Sequence, residues 1–441
     1  MAGGPLFTIY KIITAITTAR NLTNSTGRKV VPVFWLADED HDFDEITEVA
    51  FPSGTQWFSD RLQQRENPGR RVSEYVVSDS DAAMLDSIEA ALPPTDHRPE
   101  LMDVLRNSYK VGLTHGQAFS DLISSLFGRF GLVIFGSAKP ESRLLITDDI
   151  IQLVDSSDKI FEALEASSVS LEAEYHRQAA VTHSNWFLIG KNGERIKLQF
   201  ENGRWTTPQG HDYSTDELKE IIRENPSIVS PNVFMRPILQ DRLLPNVAYV
   251  AGPGEVAYYA QMKSMYTVLG MKMPVIIPRF SATLYEPSIR KFADELGFAQ
   301  SEYANRIEDL EASYLRKHEE LDINGFFESW STQISQLAQS KVEQVTQTDP
   351  TLEGTLKKIE SDQINLLNQL KGKMQKAIKS REEVQLKRIS RVQLALYPNR
   401  QLQERAVSFI YILNKYGVSF IDELIEVSSG LSTKSHYLVD L

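Results

Sequence analysis

The chain has 441 residues, 41% of them hydrophobic, a net charge of −12 and no cysteine. That length suits two or three folding units with at least one large core, and the acidic balance argues against a nucleic-acid partner, which needs a basic surface to release counterions. Without cysteine there is no disulfide framework, no thiolate metal site and no enzyme thioester, and a reducing cytoplasm is the expected location.

No apolar run reaches the roughly 20 residues needed to span a bilayer; the longest, 122–138, is interrupted by Arg129 and three glycines. At the start, Leu6, Ile9, Ile13 and Ile16 recur every three to four residues and predict an amphipathic helix rather than a signal peptide. Gly3, Gly4 and Pro5 precede it. A helix start with exposed N–H groups suits an anion at Gly4, although two glycines and a proline also make an ordinary turn. A doubly wound domain places a strand before such a helix, and its absence leaves the expectation that the first strand was lost or the start codon misassigned.

Residues 29–36 form the first predicted strand, hydrophobic on both faces as a buried parallel strand should be. A second strand is expected at 72–77, then helices at about 79–92, 99–110 and 115–128, then a strand at 131–135. The alternation indicates an α/β fold with a parallel sheet. After a helical stretch at 155–175, strand-like runs at 186–189 and 195–200 are joined by Lys191-Asn192-Gly193-Glu194, and Asn202-Gly203 marks a second turn. Asn-Gly between such runs is a strong hairpin signal, so a small β-meander is expected as an insertion at about 180–212. A helix at 215–225 follows, then a strand at 246–250 running into Gly252-Pro253-Gly254 and another helix, then a strand at 274–277. Strand, glycine turn and helix is a geometry that cradles small anions.

From 301 to 396 the chain turns into long polar helices. Leu352, Leu356, Ile359, Gln363, Leu366, Leu370, Met374, Ala377, Arg381 and Val384 repeat as heptads with one stutter. The breaker at 346–350 separates them from a helix carrying Ile307, Leu310, Tyr314, Leu321, Trp330, Ile334 and Leu337, which predicts a long antiparallel coiled-coil arm. Residues 301–346 hold nine acids and four bases, and 351–396 five acids and ten bases. Opposite signs favour pairing of the two helices, or else each is simply a solvated charged face. The expected division is a core at 1–300, the arm at 301–396, and 397–441 packing back on the core.

The candidate chemistry lies where the first strand ends. Asp38, Glu39, Asp40, His41, Asp42, Asp44 and Glu45 crowd like charges into one loop, where repulsion raises at least one carboxyl pKa and a nearby histidine is expected to protonate readily. The carboxyl ends of parallel strands are also where open α/β sheets place their ligands. Three readings stand: an active-site wall without protein-bound metal, a Mg²⁺ or Mn²⁺ site, and a solvated loop with a helix cap at Asp44. A second candidate is Arg236 to Arg242, in which Arg236 suits a carboxylate or phosphate and Asp241 an amine or hydroxyl, unless each forms a structural salt bridge.

Several of these segments share a resemblance. Gly3 to Ile12, Pro32 to Ile46, Arg236 to Gln240, Ala251-Gly252-Pro253-Gly254-Glu255 with Tyr258 and Gln261, Gln403-Glu404-Arg405 and Lys415-Tyr416-Gly417 resemble the bacillithiol-biosynthesis cysteine-adding enzymes, collinearly over nearly the whole chain. The resemblance implies a Rossmann-like core similar to nucleotidyltransferases and class I aminoacyl-tRNA synthetases, connecting-peptide insertions, and a coiled-coil arm associated with homodimerisation. It implies joining the cysteine carboxyl to the amine of glucosaminyl malate, with Glu39 to Asp42, Arg236, Gly252, Gly254, Glu255, Tyr258 and Gln261 lining the crevice. Two departures stand out: an initial strand with a Gly-Gln-Gln turn is missing, and Ile134 to Ala138 occupies the place of strand-end aspartates.

A free carboxylate does not acylate an amine readily in water, so such a ligase needs an activated acyl group. ATP or another nucleotide is therefore expected as cosubstrate, bound by the glycine turns, with Asp40, His41 and Asp42 as catalytic residues handling the amine or its proton. Gly4, Glu39, Asp44, Arg236, Gln240, Asp241, Gly252, Gly254, Glu255, Tyr258 and Gln261 complete the expected binding set, with no tightly bound metal and no membrane or nucleic-acid partner. The alternatives are a metal-dependent hydrolase built on Asp40-His41-Asp42 and a non-catalytic binding protein whose arm recruits partners.

Overall fold

The computed structural model describes residues 1–63, 69–318 and 322–441, which divide into two compact units. The first comprises Met1–Thr283 with Glu404–Leu438. Its first helix, α1 (Leu6–Thr26), ends at Gly27, whose φ of 67° lets its N–H return to the Thr23 carbonyl. Leu6, Ile9, Ile13 and Ile16 are all fully buried, as their spacing requires.

The α/β expectation holds: β1 (Val33–Leu36) pairs in parallel with a later strand at Val133–Gly136, Val33 opposite Val133. Between them stands an antiparallel hairpin, β2 (Glu48–Ser53) and β3 (Gln56–Arg61), which sequence pattern does not predict. The run 72–77 is not a strand but a single 3-10 turn, Val72–Glu74, with one isolated bridge from Val76 to Thr114. The cause is local: the N–H groups of Val72 and Ser73 turn to the carbonyls of Asp40 and Asp38, each at 2.8 Å, instead of to a neighbouring strand. The three helices that follow, Asp79–Ala91, Arg98–Ser108 and His115–Phe127, lie where periodicity places them, the first and third closed by capping boxes at Ser78 and Thr114. They lead to β4 (Val133–Gly136).

The inserted β structure forms two small sheets. β5 (Trp186–Ile189) lies between β6 (Arg195–Lys197) and β10 (Val229–Pro231), while β7 (Gln199–Glu201), β8 (Arg204–Thr206) and β9 (Asp212–Ser214) make a meander. The single strand expected at 195–200 therefore breaks at Leu198, which is fully buried and sends the chain from one sheet to the next. Asn202 and Gly203, at φ 52° and 76°, make the tight β7–β8 turn. Trp186, Trp205, Phe234, Tyr259 and Tyr266 belong to the core beneath. A second parallel pair, β11 (Ala248–Ala251) with β12 (Val275–Pro278), completes the strands that matter for the site.

The second unit, Leu284–Gln403 with Val439–Leu441, holds the coiled coil. Ile323–Thr348 and Glu353–Arg381 pack against each other across a turn in which the Asp349 carboxylate accepts the Thr351 N–H. The buried stripe is not the expected one. Leu367 is the buried residue of the returning helix, packed with Ile323, Phe327, Ile334, Met374 and Ile378, whereas Leu352, Ile359, Leu366, Leu370 and Val384 are exposed. The inward face includes the polar Glu360, which accepts the Ser335 hydroxyl at 2.6 Å. Of the upstream seam, Leu310 and Tyr314 are buried in a separate cluster, Trp330 and Leu337 are exposed, and Leu321 lies outside the described residues. Lys379 and Glu311, at 3.5 Å, realise the expected attraction between the basic and acidic segments.

Candidate active site

β1 ends at Leu36, and the acids follow at its carboxyl end. The Asp38 carboxylate accepts the Ala138 N–H at 2.9 Å and sits 3.2 Å from where a Cβ on Gly116 would stand, a close approach that a larger residue there would tighten. Burial raises its pKa against the opposing hydrogen bonds of Ala138 and Ser137. The Ile134 to Ala138 segment, unusual in sequence, thus supplies the donors that hold this carboxylate.

Glu39 points the other way. Its side chain and that of Arg143 are 3% and 7% exposed and form an ion pair, with Arg236 Nε 3.9 Å from the second oxygen. The adjoining cavity, lined by both residues, is only about 10 Å³, about one water's worth of space. Burial, helped by the Arg236 charge, pushes the Arg143 guanidinium down to about 10. Glu39 is therefore an internal anchor for Arg143 and Arg236.

Asp40 faces the crevice between two guanidiniums, Arg236 Nη2 at 2.6 Å and Arg195 Nη1 at 3.3 Å. Burial alone would raise its pKa, but the Arg236 ion pair and hydrogen bond, with Arg195 behind them, hold it below the ordinary carboxylate value. Arg195 is itself fixed by stacking 3.9 Å over the Phe187 ring.

His41 is not the readily protonated histidine the acids suggested. Its Nε2 lies 3.1 Å from the Gly193 carbonyl and must carry the proton, which leaves Nδ1 as a bare lone pair, buried and without a hydrogen-bond partner among the described residues. Burial, then the charges of Arg195 and Arg71, outweigh Gly193 and Asp40 and lower its pKa below the ordinary imidazole value. Guanidiniums, not carboxylates, dominate its surroundings.

Asp42, Asp44 and Glu45 are exposed. Asp42, not Asp44, occupies the cap position of the short helix Phe43–Thr47, and its side chain makes no capping bond. Partial burial and the charges of Asp42 and Asp40 raise the Glu45 pKa.

The other group of expected binding residues lies at the turn after β11. Gly252 begins the helix Pro253–Val268, and the Glu255 carboxylate closes back on the Gly252 N–H at 2.6 Å. Glu255 also accepts the Tyr249 hydroxyl at 2.7 Å and pairs with Lys11. Gly254 leaves Gln178 Nε2 3.8 Å from its would-be Cβ. Tyr258 stacks on Tyr259, and burial first, then the Glu255 charge, raises its pKa against the Tyr249 hydrogen bond and the Arg236 charge. Gln261, 1% exposed, is a clamp: it accepts the Ala179 N–H and donates to Ser168 Oγ and the Ala179 carbonyl. Asp241 holds Tyr266 and Asn246, burial raising its pKa, and Gln240 lines a neighbouring cavity. Gly4 spends its N–H on Met1 and its carbonyl on Phe409, and the Leu6 N–H is taken by Val407, so the start of α1 is closed by its own chain.

The arrangement therefore joins Asp40, His41 and Arg236 with three arginines that sequence pattern does not single out: Arg71, Arg143 and Arg195. Among the described residues no group of three or more histidines and acids is disposed around one point for a metal ion; Asp40 has both oxygens on arginines. Likewise no described helix is long and apolar enough to cross a membrane.

Comparison with known proteins agrees with this architecture. Residues 1–280 match the family model "Bacillithiol biosynthesis BshC, N-terminal Rossmann-like domain", and residues 282–441 match "Bacillithiol biosynthesis BshC, C-terminal coiled-coil domain". Relatives bearing the name "Putative cysteine ligase BshC" include those of Salinibacter ruber, 33% identical over 96% of this chain and 78% of its own length, and Chlorobaculum tepidum, 29% identical over 99% and 81%. That of Bacillus cereus strain B4264 is 28% identical over 99% and 82%. A Rossmann-like core whose strand ends gather Asp40, His41 and Arg236, followed by a coiled coil, places this chain in the bacillithiol-biosynthesis BshC family.

Proposed function

We propose that this chain joins the carboxyl group of cysteine to the amine of glucosaminyl malate, with the crevice at the carboxyl end of β1 as the reaction site. The observation that supports this most is His41. A neutral imidazole with a partnerless Nδ1 beside an Asp40–arginine cluster offers a proton acceptor and a cationic anchor within one loop. In this reading Nδ1 takes the proton from the attacking amine, Arg236 and Arg195 hold anionic groups of the substrates, and Asp40 keeps both guanidiniums aimed at the crevice. Asp42 and Asp44, exposed at its rim, contribute charge rather than proton transfer.

A nucleotide cosubstrate such as ATP stays within the proposal because the acyl group must be activated. The fit is better to the arginines than to the glycine turns: the N–H groups of Gly4 and Gly252 are already bonded, and the Glu255 carboxylate sits at the second turn. The metal-dependent hydrolase reading loses support because Asp40 is committed to Arg195 and Arg236. A cytoplasmic location goes with small-molecule biosynthesis.

The test is cysteine addition to glucosaminyl malate in the presence of ATP. His41→Gln is expected to lower kcat about 10²–10⁴-fold with the fold intact, and the wild-type rate to fall only at pH below the ordinary imidazole value, as a depressed pKa requires. Unchanged activity of His41→Gln would remove this role.

We also propose a homodimer through the arm. Its exposed stripe, Leu352, Ile359, Leu366 and Leu370, is the kind of apolar seam a second copy covers. Leu366→Asp is expected to yield a folded monomer by light scattering; a variant that keeps the wild-type mass would overturn the assignment of this face.

A further inference from the structure

The turn that joins β5 to β6, Lys191-Asn192-Gly193-Glu194, reaches across to the loop that carries Asp40 and His41. Its own bonds fix it. The Gly190 N–H goes to the Glu194 carbonyl at 2.8 Å, and the Gly193 N–H to the Gly190 carbonyl at 3.0 Å. The Glu194 carboxylate folds back over Gly190, where a Cβ would stand 2.3 Å from it, and accepts the Asn192 N–H at 2.9 Å. Gly193 takes a φ of 84°, in the left-handed region that residues with a Cβ rarely adopt. A Cβ there would also stand 2.8 Å from Glu74 Oε2, but Glu74 is exposed and can swing away, so the backbone angle is the stricter demand.

With its N–H spent inside the turn, Gly193 gives its carbonyl to His41 Nε2 at 3.1 Å. Two residues on, Arg195 is fixed by the Pro231 carbonyl and the Phe187 ring and reaches Asp40 Oδ1 at 3.3 Å. One turn thus grips two consecutive residues of the loop. The His41 backbone is bound independently, its N–H to Asp40 Oδ1 at 3.0 Å and its carbonyl accepting the Phe43 N–H at 3.0 Å. The imidazole, by contrast, has Gly193 as its one hydrogen-bond partner among the described residues.

We propose that Gly193 is a positioning residue for the reaction: its carbonyl holds the His41 ring so that Nδ1, not Nε2, meets the substrate amine. The proposal rests on the reading of His41 as proton acceptor. A carbonyl oxygen only accepts, so the ring nitrogen facing it carries the proton and the other keeps its lone pair. A ring released from Gly193 turns about its side-chain bonds, and part of the molecules then present an N–H that cannot take the amine proton. The bond also outlasts the transfer, since Nε2–H of the imidazolium still donates to the same oxygen. Burial lowers the His41 pKa most, and the Gly193 bond is the largest influence raising it, so its loss lowers the pKa further. Every residue has a carbonyl; the left-handed backbone at 193 is what aims this one at the ring.

A double-substitution cycle on kcat for cysteine addition tests this. Gly193→Ala is expected to lower kcat about 10–100-fold at little changed KM and to move the acidic limb of the rate–pH profile to lower pH. Gly193→Asn, which tolerates the left-handed region, is expected to lose less although it is the larger residue. In the His41→Gln background Gly193→Ala is expected to lower kcat no further, because the ring it serves is gone. Nitrogen-15 NMR reads the ring without activity: the wild type keeps its proton on Nε2, and Gly193→Ala gains a population protonated on Nδ1. A folded Gly193→Ala with wild-type kcat and tautomer, or equal losses in both backgrounds, would overturn the proposal and leave the role of His41 standing. Wild-type activity of His41→Gln, with Gly193→Ala still shifting the tautomer, would overturn it together with the reading on which it rests.

Discussion

The end of β1 and the turn at Gly252 carry similar residue types and use them differently. At the Gly252 turn the polar groups close on one another: Glu255 holds the Gly252 N–H, Tyr249 and Lys11, and Gln261 fills its side-chain bonds with Ala179 and Ser168. At the end of β1 the bonding is incomplete. His41 Nδ1 has no hydrogen-bond partner among the described residues, and several guanidiniums share few carboxylates. Buried polar groups left unsatisfied cost stability and persist where something else demands them. We read the contrast as chemistry at the end of β1 and scaffolding at the Gly252 turn, and substitutions on each side can break it.

At the end of β1, Glu39 should behave as structure. Glu39→Ala leaves Arg143 buried without its partner and is expected to cost about 3–5 kcal/mol in urea unfolding, a larger stability loss than any change at the crevice rim. A small loss would mean that the Glu39–Arg143 pair is not the anchor described. At the helix after Gly252, Gln261→Ala strands the Ala179 N–H and carbonyl and is expected to cost about 1–3 kcal/mol with kcat little changed in the surviving folded protein; a large drop in kcat would move Gln261 into the reaction. Smallest of all, Glu255→Gln keeps an acceptor for Gly252, loses the partly exposed Lys11 pair and turns the Tyr249 hydroxyl from donor into acceptor of the new amide N–H. A change within about 1 kcal/mol is expected by thermal unfolding, and a larger one would give that pair a weight its exposure does not suggest.

The sequence marks the site because an apolar strand ends in acids, and that junction survives folding: Asp38, Glu39 and Asp40 do sit at the carboxyl end of β1. What it cannot mark is which cations meet them. Arg195 and Arg236 reach Asp40 from 155 and 196 residues away in the chain; Arg236 is a candidate in its own segment, but no local pattern ties it to Asp40 or singles out Arg195. That gap inverts the histidine: read from its neighbours in sequence it should be protonated, whereas its neighbours in space are Arg195 and Arg71. The hairpin at 48–61 is hidden for another reason, since Pro52 argues against a strand interior, yet a two-stranded sheet has only edges, where proline is tolerated. In the coiled coil, hydrophobicity selects the stripe of Leu352, Ile359, Leu366 and Leu370, all of them exposed, while the helix pair buries Leu367 on a face that also carries Glu360. Periodicity reports that a stripe is apolar; only packing decides whether it turns inward.

The division between the two regions rests on a neutral His41 with its proton on Nε2 and a free Nδ1. Nitrogen-15 NMR of histidine-labelled protein at pH 7, with His41→Gln to assign the signal, measures this directly. The structure predicts a neutral ring, protonated at Nε2, that titrates below the ordinary imidazole value. An imidazolium at pH 7, or a neutral ring with its proton on Nδ1, would contradict it.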